Sequence, residues 1–291
     1  MKKIITILLA TILVVALSSP AQSQVHWRGA KTISQGQYIA MASWYLMDFT
    51  KSYDWGTEEW KDFPDGQEVT CWGFETMFGY GVTDRIEAHL HVPILFKSST
   101  SVDGVEKSAS GIGDIYLKGR YALVPWTKNH YGITLTGNLR FPTGDEEADI
   151  ALGDGTTDLG LGGIFSSAWM NNFRGHAKLG YWFNGENDDE VNIGDELKMI
   201  LNIDRNFSPK VMGFLTYIYY SQTKKEKAPG PVLCVVVPNS QKIRHSACLG
   251  VIWKPKAGMF IRPKVIIPIG GEGGSLYDFK PVVDFWYVFK L

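Results

Sequence analysis

Cysteine is scarce in this chain. Cys71, Cys234 and Cys248 are the three among 291 residues, and no two stand in a C-x-x-C pair. That spacing excludes the common zinc and c-type haem attachments, so neither a metal nor a cofactor is expected. Three is an odd number for an oxidising compartment. Either Cys234 and Cys248 pair across a loop and leave Cys71 free, or all three stay unpaired. Charge is also modest: Asp, Glu, Lys and Arg make up 20%, the net charge is −1 and the pI is near 6.6. A nucleic-acid binder normally shows a basic excess, so no nucleic-acid partner is expected. Long apolar runs are missing too. After Gln24 nothing approaches the roughly 20 apolar residues that a membrane-spanning helix requires. Neither a G-x-S-x-G nor an H-x-S element is present. A serine hydrolase site, including one on the outer wall of a twelve-stranded phospholipase barrel, therefore has no support, and no catalytic residue is assigned.

What is present begins with a targeting segment. Lys2 and Lys3 precede the apolar run from Ile4 to Leu17, and Ser19-Pro20-Ala21 and Ala21-Gln22-Ser23 offer small residues for cleavage. Residues 1–23 are read as a secretory signal and 24–291 as the mature protein. Aromatics reach 13%, with 10 tryptophans and 13 tyrosines, and there are 31 glycines. A secreted, aromatic-rich and glycine-rich chain without spanning helices points to the other structure that satisfies its backbone in lipid, a closed β-barrel.

The pattern agrees. Twelve segments alternate apolar and polar residues with period two, the signature of a strand with one lipid face and one lumen face. The predicted strands are Gln37–Phe49, Thr70–Tyr80, Arg85–Ile94, Asp114–Leu123, Tyr131–Phe141, Asp158–Trp169, Arg174–Phe183, Glu196–Asp204, Val211–Tyr220, Ser246–Lys254, Phe260–Ile267 and Tyr277–Leu291. Each is near the roughly 9–11 residues of a tilted spanning strand. In the last, Tyr277, Phe279, Val283, Phe285, Tyr287, Phe289 and Leu291 share an apolar parity. Val282, Trp286 and Val288 blur the opposite, charged parity. Short connections near Gly81, Trp126, Asn171, Phe207 and Lys256 alternate with longer ones near Gly56, Asp103, Glu146, Asn187, Lys225 and Gly273. Outer-membrane barrels pair short periplasmic turns with long outside loops in this way. The fold class is thus all-β: a transmembrane, antiparallel, up-and-down barrel of about 12 strands in the outer membrane of a Gram-negative bacterium, with both termini periplasmic. The barrel assembly machinery, outer-membrane lipid and lipopolysaccharide are its expected partners. The apolar run Pro231–Pro238 fits no strand, because proline brackets it at both ends.

Three motifs carry a resemblance. Gly111-Ile112-Gly113-Asp114 opens a strand, Pro142-Thr143-Gly144-Asp145 closes one, and Gly153-Asp154-Gly155-Thr156-Thr157-Asp158 leads into the next. With the turn Tyr80 to Arg85, they make the chain similar to the outer-membrane family named for the meta-pathway of phenol degradation. That resemblance implies a transporter-like barrel that passes small aromatic or hydrophobic compounds. It carries over no catalytic or binding residues.

The alternation assigns an inward set. Glu75 and Arg85, Glu87, His89 and His91 come from the second and third strands. Lys118, Arg120 and Arg140 follow, then Arg174, His176, Lys178 and Lys198, and finally Arg262, Lys264, Lys280 and Asp284. Asp114, Glu196, Asp204 and Asp278 complete it at ten basic residues against seven acidic. An open pore so lined would weakly prefer anions and pass a small-molecule solute. Mutual ion pairing would instead close the lumen and make the barrel a scaffold, sheathing a periplasmic or surface partner. His89 and His91 at i, i+2 have zinc-ligand spacing but read as polar lumen lining. Aromatics near strand ends (Trp44, Tyr45, Tyr80, Trp169, Tyr181, Trp182, Tyr219 and Tyr220) suit interfacial girdles.

Overall fold

The computed structural model describes residues 29–127, 130–169, 172–187, 190–227, 235–236 and 238–290. The expected signal segment and Leu291 lie outside them. Twelve antiparallel strands close on themselves: β1 Gln37–Asp54, β2 Glu68–Gly81, β3 Ile86–Thr100, β4 Ile115–Val124, β5 Gly132–Phe141, β6 Asp158–Trp169, β7 Phe173–Phe183, β8 Glu196–Asn206, β9 Val211–Gln222, β10 Lys242–Trp253, β11 Met259–Glu272 and β12 Lys280–Lys290. Each pairs with its sequence neighbours. Closure comes from β1, which pairs β2 on one side (Tyr45↔Gly73) and β12 on the other (Ser43↔Asp284). Among the described residues, the ring of twelve strands leaves no open edge of its own.

The strands form here because the alternation is satisfied on both faces. Leu90, Leu117, Leu135, Leu161, Leu179, Leu201, Leu215 and Leu249 come one from each strand, β3 through β10, and every one is at least 43% exposed. An outward apolar belt is the surface a bilayer solvates. Between them the inward residues are buried.

Three elements extend the barrel beyond the spanning region. The strand Glu59–Asp62 folds back on the tip of β1, and Ser275–Tyr277 pairs with the same tip. Glu106–Ile112 pairs with the end of β3. A small separate sheet joins Val191–Asn192, Glu226–Lys227 and Val235–Val236. The last of these falls in the apolar run that resisted assignment, and most of that run lies outside the described residues.

The closing strand departs from its expected form. The segment Tyr277–Leu291 is not one strand. Between the pairs Tyr45↔Val282 and Phe49↔Tyr277 the closing segment carries one residue more than β1, so the parity breaks before Lys280. Tyr277 consequently turns inward and is 1% exposed, and Asp278 stands exposed where it accepts a hydrogen bond from Thr50 Oγ1 at 3.1 Å. Both expected directions are thus reversed.

Candidate functional site: the barrel interior

Ahead of β1, residues 29–36 do not run along the outside. They cross the interior at the short-turn end, held largely through their backbone. Ala30 N–H donates to Ser166 Oγ at 2.7 Å, and Thr134 Oγ1 donates to the Ala30 carbonyl at 2.6 Å. Arg120 donates to the Gly29 carbonyl, and Ile33 N–H donates to Glu87. Gly36 N–H reaches the Gly81 carbonyl at 2.9 Å. Gly29 has φ of +55°, and a Cβ there would meet His176 Nδ1 at 2.1 Å, so this crossing requires glycine. Ala30 and Ile33 are fully or nearly buried. A cavity of about 510 Å³ lies against this segment, lined among others by Lys31, Ile33, Trp126, His176, Met212 and Phe260. That is the size range of a small-molecule site.

The interior has two unlike walls. Over β3–β7 it is charged. Glu87 is shared by Arg120 (2.7 Å) and His89 (2.9 Å), and His91 Nδ1 meets Glu75 at 2.7 Å. Arg140 pairs with Asp158, reaches Asp154 at 3.4 Å and Glu196 at 3.7 Å, and lies over the Trp182 ring. At the short-turn end Asp204 takes Arg174 at 2.6 Å and His176 at 2.9 Å. Lys118, Lys178 and Lys198 share one small cavity at mid-height with Glu75 and His91.

Across the closure the wall is apolar. Ile39, Met41 and Met47 of β1, Met77 of β2, Met212, Phe214 and Ile218 of β9, Ile252 of β10, Ile266 of β11 and Val282 and Trp286 of β12 form one cluster, each at most 9% exposed. Charges are set into it in compensated form. Asp284 accepts from Ser43 Oγ, pairs with Arg262 and meets Lys264 at 3.0 Å. Lys280 Nζ sits 4.0 Å above the Tyr45 ring, a cation–π contact.

Of the inward set, Arg85 is misplaced: it occupies the turn before β3 and is exposed, because the strand begins one residue later, at Ile86. Asp278 is likewise exposed, beyond the break in parity ahead of Lys280; the other named members face the interior, Arg174 and His176 at its mouth. Tyr45, Trp182 and Tyr220, expected in the interfacial girdles, belong to the inward parity of β1, β7 and β9. Tyr45 is fully buried, and Trp182 lines the mid-height cavity. Cys71 and Cys248 carry free, buried thiols; Cys234, the partner expected for Cys248, lies outside the described residues. Two features escaped the sequence: the crossing segment, whose hydrogen bonds use backbone atoms, and the apolar wall, whose one sign was the blurred parity at Val282, Trp286 and Val288.

The three resemblance motifs meet at the long-loop end. Asp114 accepts N–H bonds from Gly144 (3.1 Å) and Asp154 (3.0 Å), and Thr143 Oγ1 donates to the Gly113 carbonyl at 2.8 Å. Asp158 accepts from Gly185 N–H at 2.9 Å while holding Arg140. The motifs are a clasp over the β5–β6 loop, which explains their spacing in structural terms.

Comparison with known proteins agrees with this architecture. A family model described as "Putative MetA-pathway of phenol degradation" matches residues 52–265, well over half of the chain. An outer membrane channel from Pseudomonas putida F1 superposes with a TM-score of 0.76 at 13% identity, covering 93% of this chain and 100% of that one. The β domain of the Bordetella autotransporter BrkA follows at 0.52 and 11% identity, covering 88% of this chain and 100% of its own. No functionally curated protein matches the chain in sequence.

Proposed function

The chain belongs to the MetA-pathway of phenol degradation family, and on that premise we propose that it is an outer-membrane channel for small aromatic or hydrophobic solutes. Export removes residues 1–23, both termini face the periplasm, and lipopolysaccharide surrounds the long-loop end. The observation that carries the reading is the two-sided interior. A porin for polar solutes has a polar lumen throughout. Here an apolar wall of methionine, isoleucine and tryptophan faces a charged one inside the same barrel. Methionine is adaptable packing, able to repack around a passing ring. The likeness to a Pseudomonas putida outer membrane channel supports the same reading. The inward charges line the path and set the solute's orientation rather than perform chemistry on it.

The test is the initial uptake of a labelled aromatic hydrocarbon by cells whose lipopolysaccharide is intact, with and without the protein. Faster uptake with the barrel present is expected; equal rates would remove the channel reading. A second reading has its own support. The ion pairs around Glu87, Asp284 and Arg140, together with the crossing of residues 29–36, are what a closed scaffold barrel would also show. A barrel silent in planar bilayers with or without that segment would favour it.

A further inference from the structure

We propose that the mid-height cavity of the charged wall is a seat for the carboxylate of a small organic acid. Three independent observations meet there. The first is shape. Two inward positions of β6 and β7 at this level, Gly162 and Gly180, face each other across the ladder, and Gly180 lines the cavity, so the wall is hollow where other inward positions carry side chains. The hollow holds about 40 Å³. At roughly 10–15 Å³ per water on this measure, that is room for a carboxylate group and not for a whole ring.

The second is charge. Among the interior's charged side chains, Lys118, Lys178, Lys198, Lys264, Lys280, Arg120, Arg140, Arg174 and Arg262 stand against Glu75, Glu87, Asp114, Asp158, Glu196, Asp204 and Asp284. Nine cations thus face seven anions. At the hollow the lining itself holds Lys118, Lys178 and Lys198 against the single carboxylate of Glu75. Ammonium groups crowded away from water repel, and an anion among them relieves that repulsion.

The third is a polar atom. Thr136 is 5% exposed and lines the hollow, and its Oγ1 has no hydrogen-bond partner among the described residues. It stands directly above Gly162, where a Cβ would lie 3.0 Å from it. A buried hydroxyl in this position is a donor for an oxyanion. Tyr116 and Trp182 flank the cavity, their rings 6.0 Å apart and edge to face. They give the acid's apolar remainder a surface to lie against as it leaves the hollow. The preferred ligand class is therefore an aromatic or otherwise apolar monocarboxylate, held at the acid end by the three lysines and Thr136. The assignment rests on the channel reading for the ligand's route in, not for its binding.

Calorimetric titration of the refolded full barrel in chloride-free detergent solution tests this, with benzoate, formate and benzyl alcohol as probes. Benzoate is expected to bind, formate to compete with it, and benzyl alcohol to leave it in place. Lys178→Met should weaken benzoate about tenfold or more, as loss of a charge-assisted hydrogen bond does. Thr136→Val keeps the side-chain volume and should weaken it severalfold; this variant decides the matter if Lys178→Met fails to fold. Benzoate tighter than formate identifies an apolar acid as the occupant. Equal affinities keep the carboxylate seat and make a free small anion its source. No binding by either acid, or affinities unchanged in both variants, would overturn the proposal. A barrel that conducts yet ignores benzoate loses the seat alone, and one that binds benzoate yet never conducts loses the channel alone.

Discussion

Asp284 concentrates the energetics of single residues in this barrel. It is fully buried, accepts from Ser43, and balances both Arg262 and Lys264 beside an apolar wall. Taking one member from a buried charge network leaves the others uncompensated. Asp284→Asn, which keeps the shape, should cost about 3–5 kcal/mol. Urea unfolding of the refolded barrel would show this as a lower midpoint at unchanged slope. Asp114 acts through geometry instead, since its two accepted N–H bonds fix the loop from Pro142 to Thr157. Asp114→Ala should cost roughly 1–3 kcal/mol of local stability. Amide exchange in Gly144 and Asp154 should accelerate, with β1 and β12 left protected. These roles were readable only in part. Period two placed Asp284 inward. The partners Ser43 and Arg262 depend on register across the closure, which no local pattern encodes.

At the scale of elements, the alternation of polarity and of loop length was enough to count and order the strands, because a lipid-facing residue and a loop residue each leave a compositional mark. It failed where a strand is apolar on both faces. β12 buries Val282 and Trp286 against the inner wall while Val283 and Tyr287 face lipid, so its alternation fades, as it does in any strand covered on both sides. Tyr45, Trp182 and Tyr220 misled for the same reason: an aromatic near a strand end looks alike whether it points out or in. The crossing segment left no mark because its ties are carbonyl and N–H groups, which every sequence has. Its consequence is testable. Removing residues 29–34 opens the short-turn end, where Ile33 and Ala30 fill the interior. The shortened barrel should keep heat-modifiable gel mobility and show several-fold larger conductance steps. Unchanged steps would mean that the constriction lies elsewhere, in the ion pairs of the charged wall.

For the whole molecule, closure is what joins fold to function. A twelve-strand barrel lies between eight-stranded barrels filled by side chains and porins of 16 to 18 strands with open water channels. This chain spends its intermediate width unevenly, packing one wall with apolar side chains and hollowing the other with glycine. The cationic surplus predicts that whatever small ions do pass are mainly anions, an expectation that reversal potentials in a salt gradient would check. The central claim is that this barrel conducts, narrowly, past its own crossing segment. Single-channel recording of the purified protein in planar bilayers tests it most directly. Small, anion-preferring steps from the full mature chain, enlarged once residues 29–34 are removed, are the predicted result; a barrel that is correctly folded yet silent in both forms would contradict it.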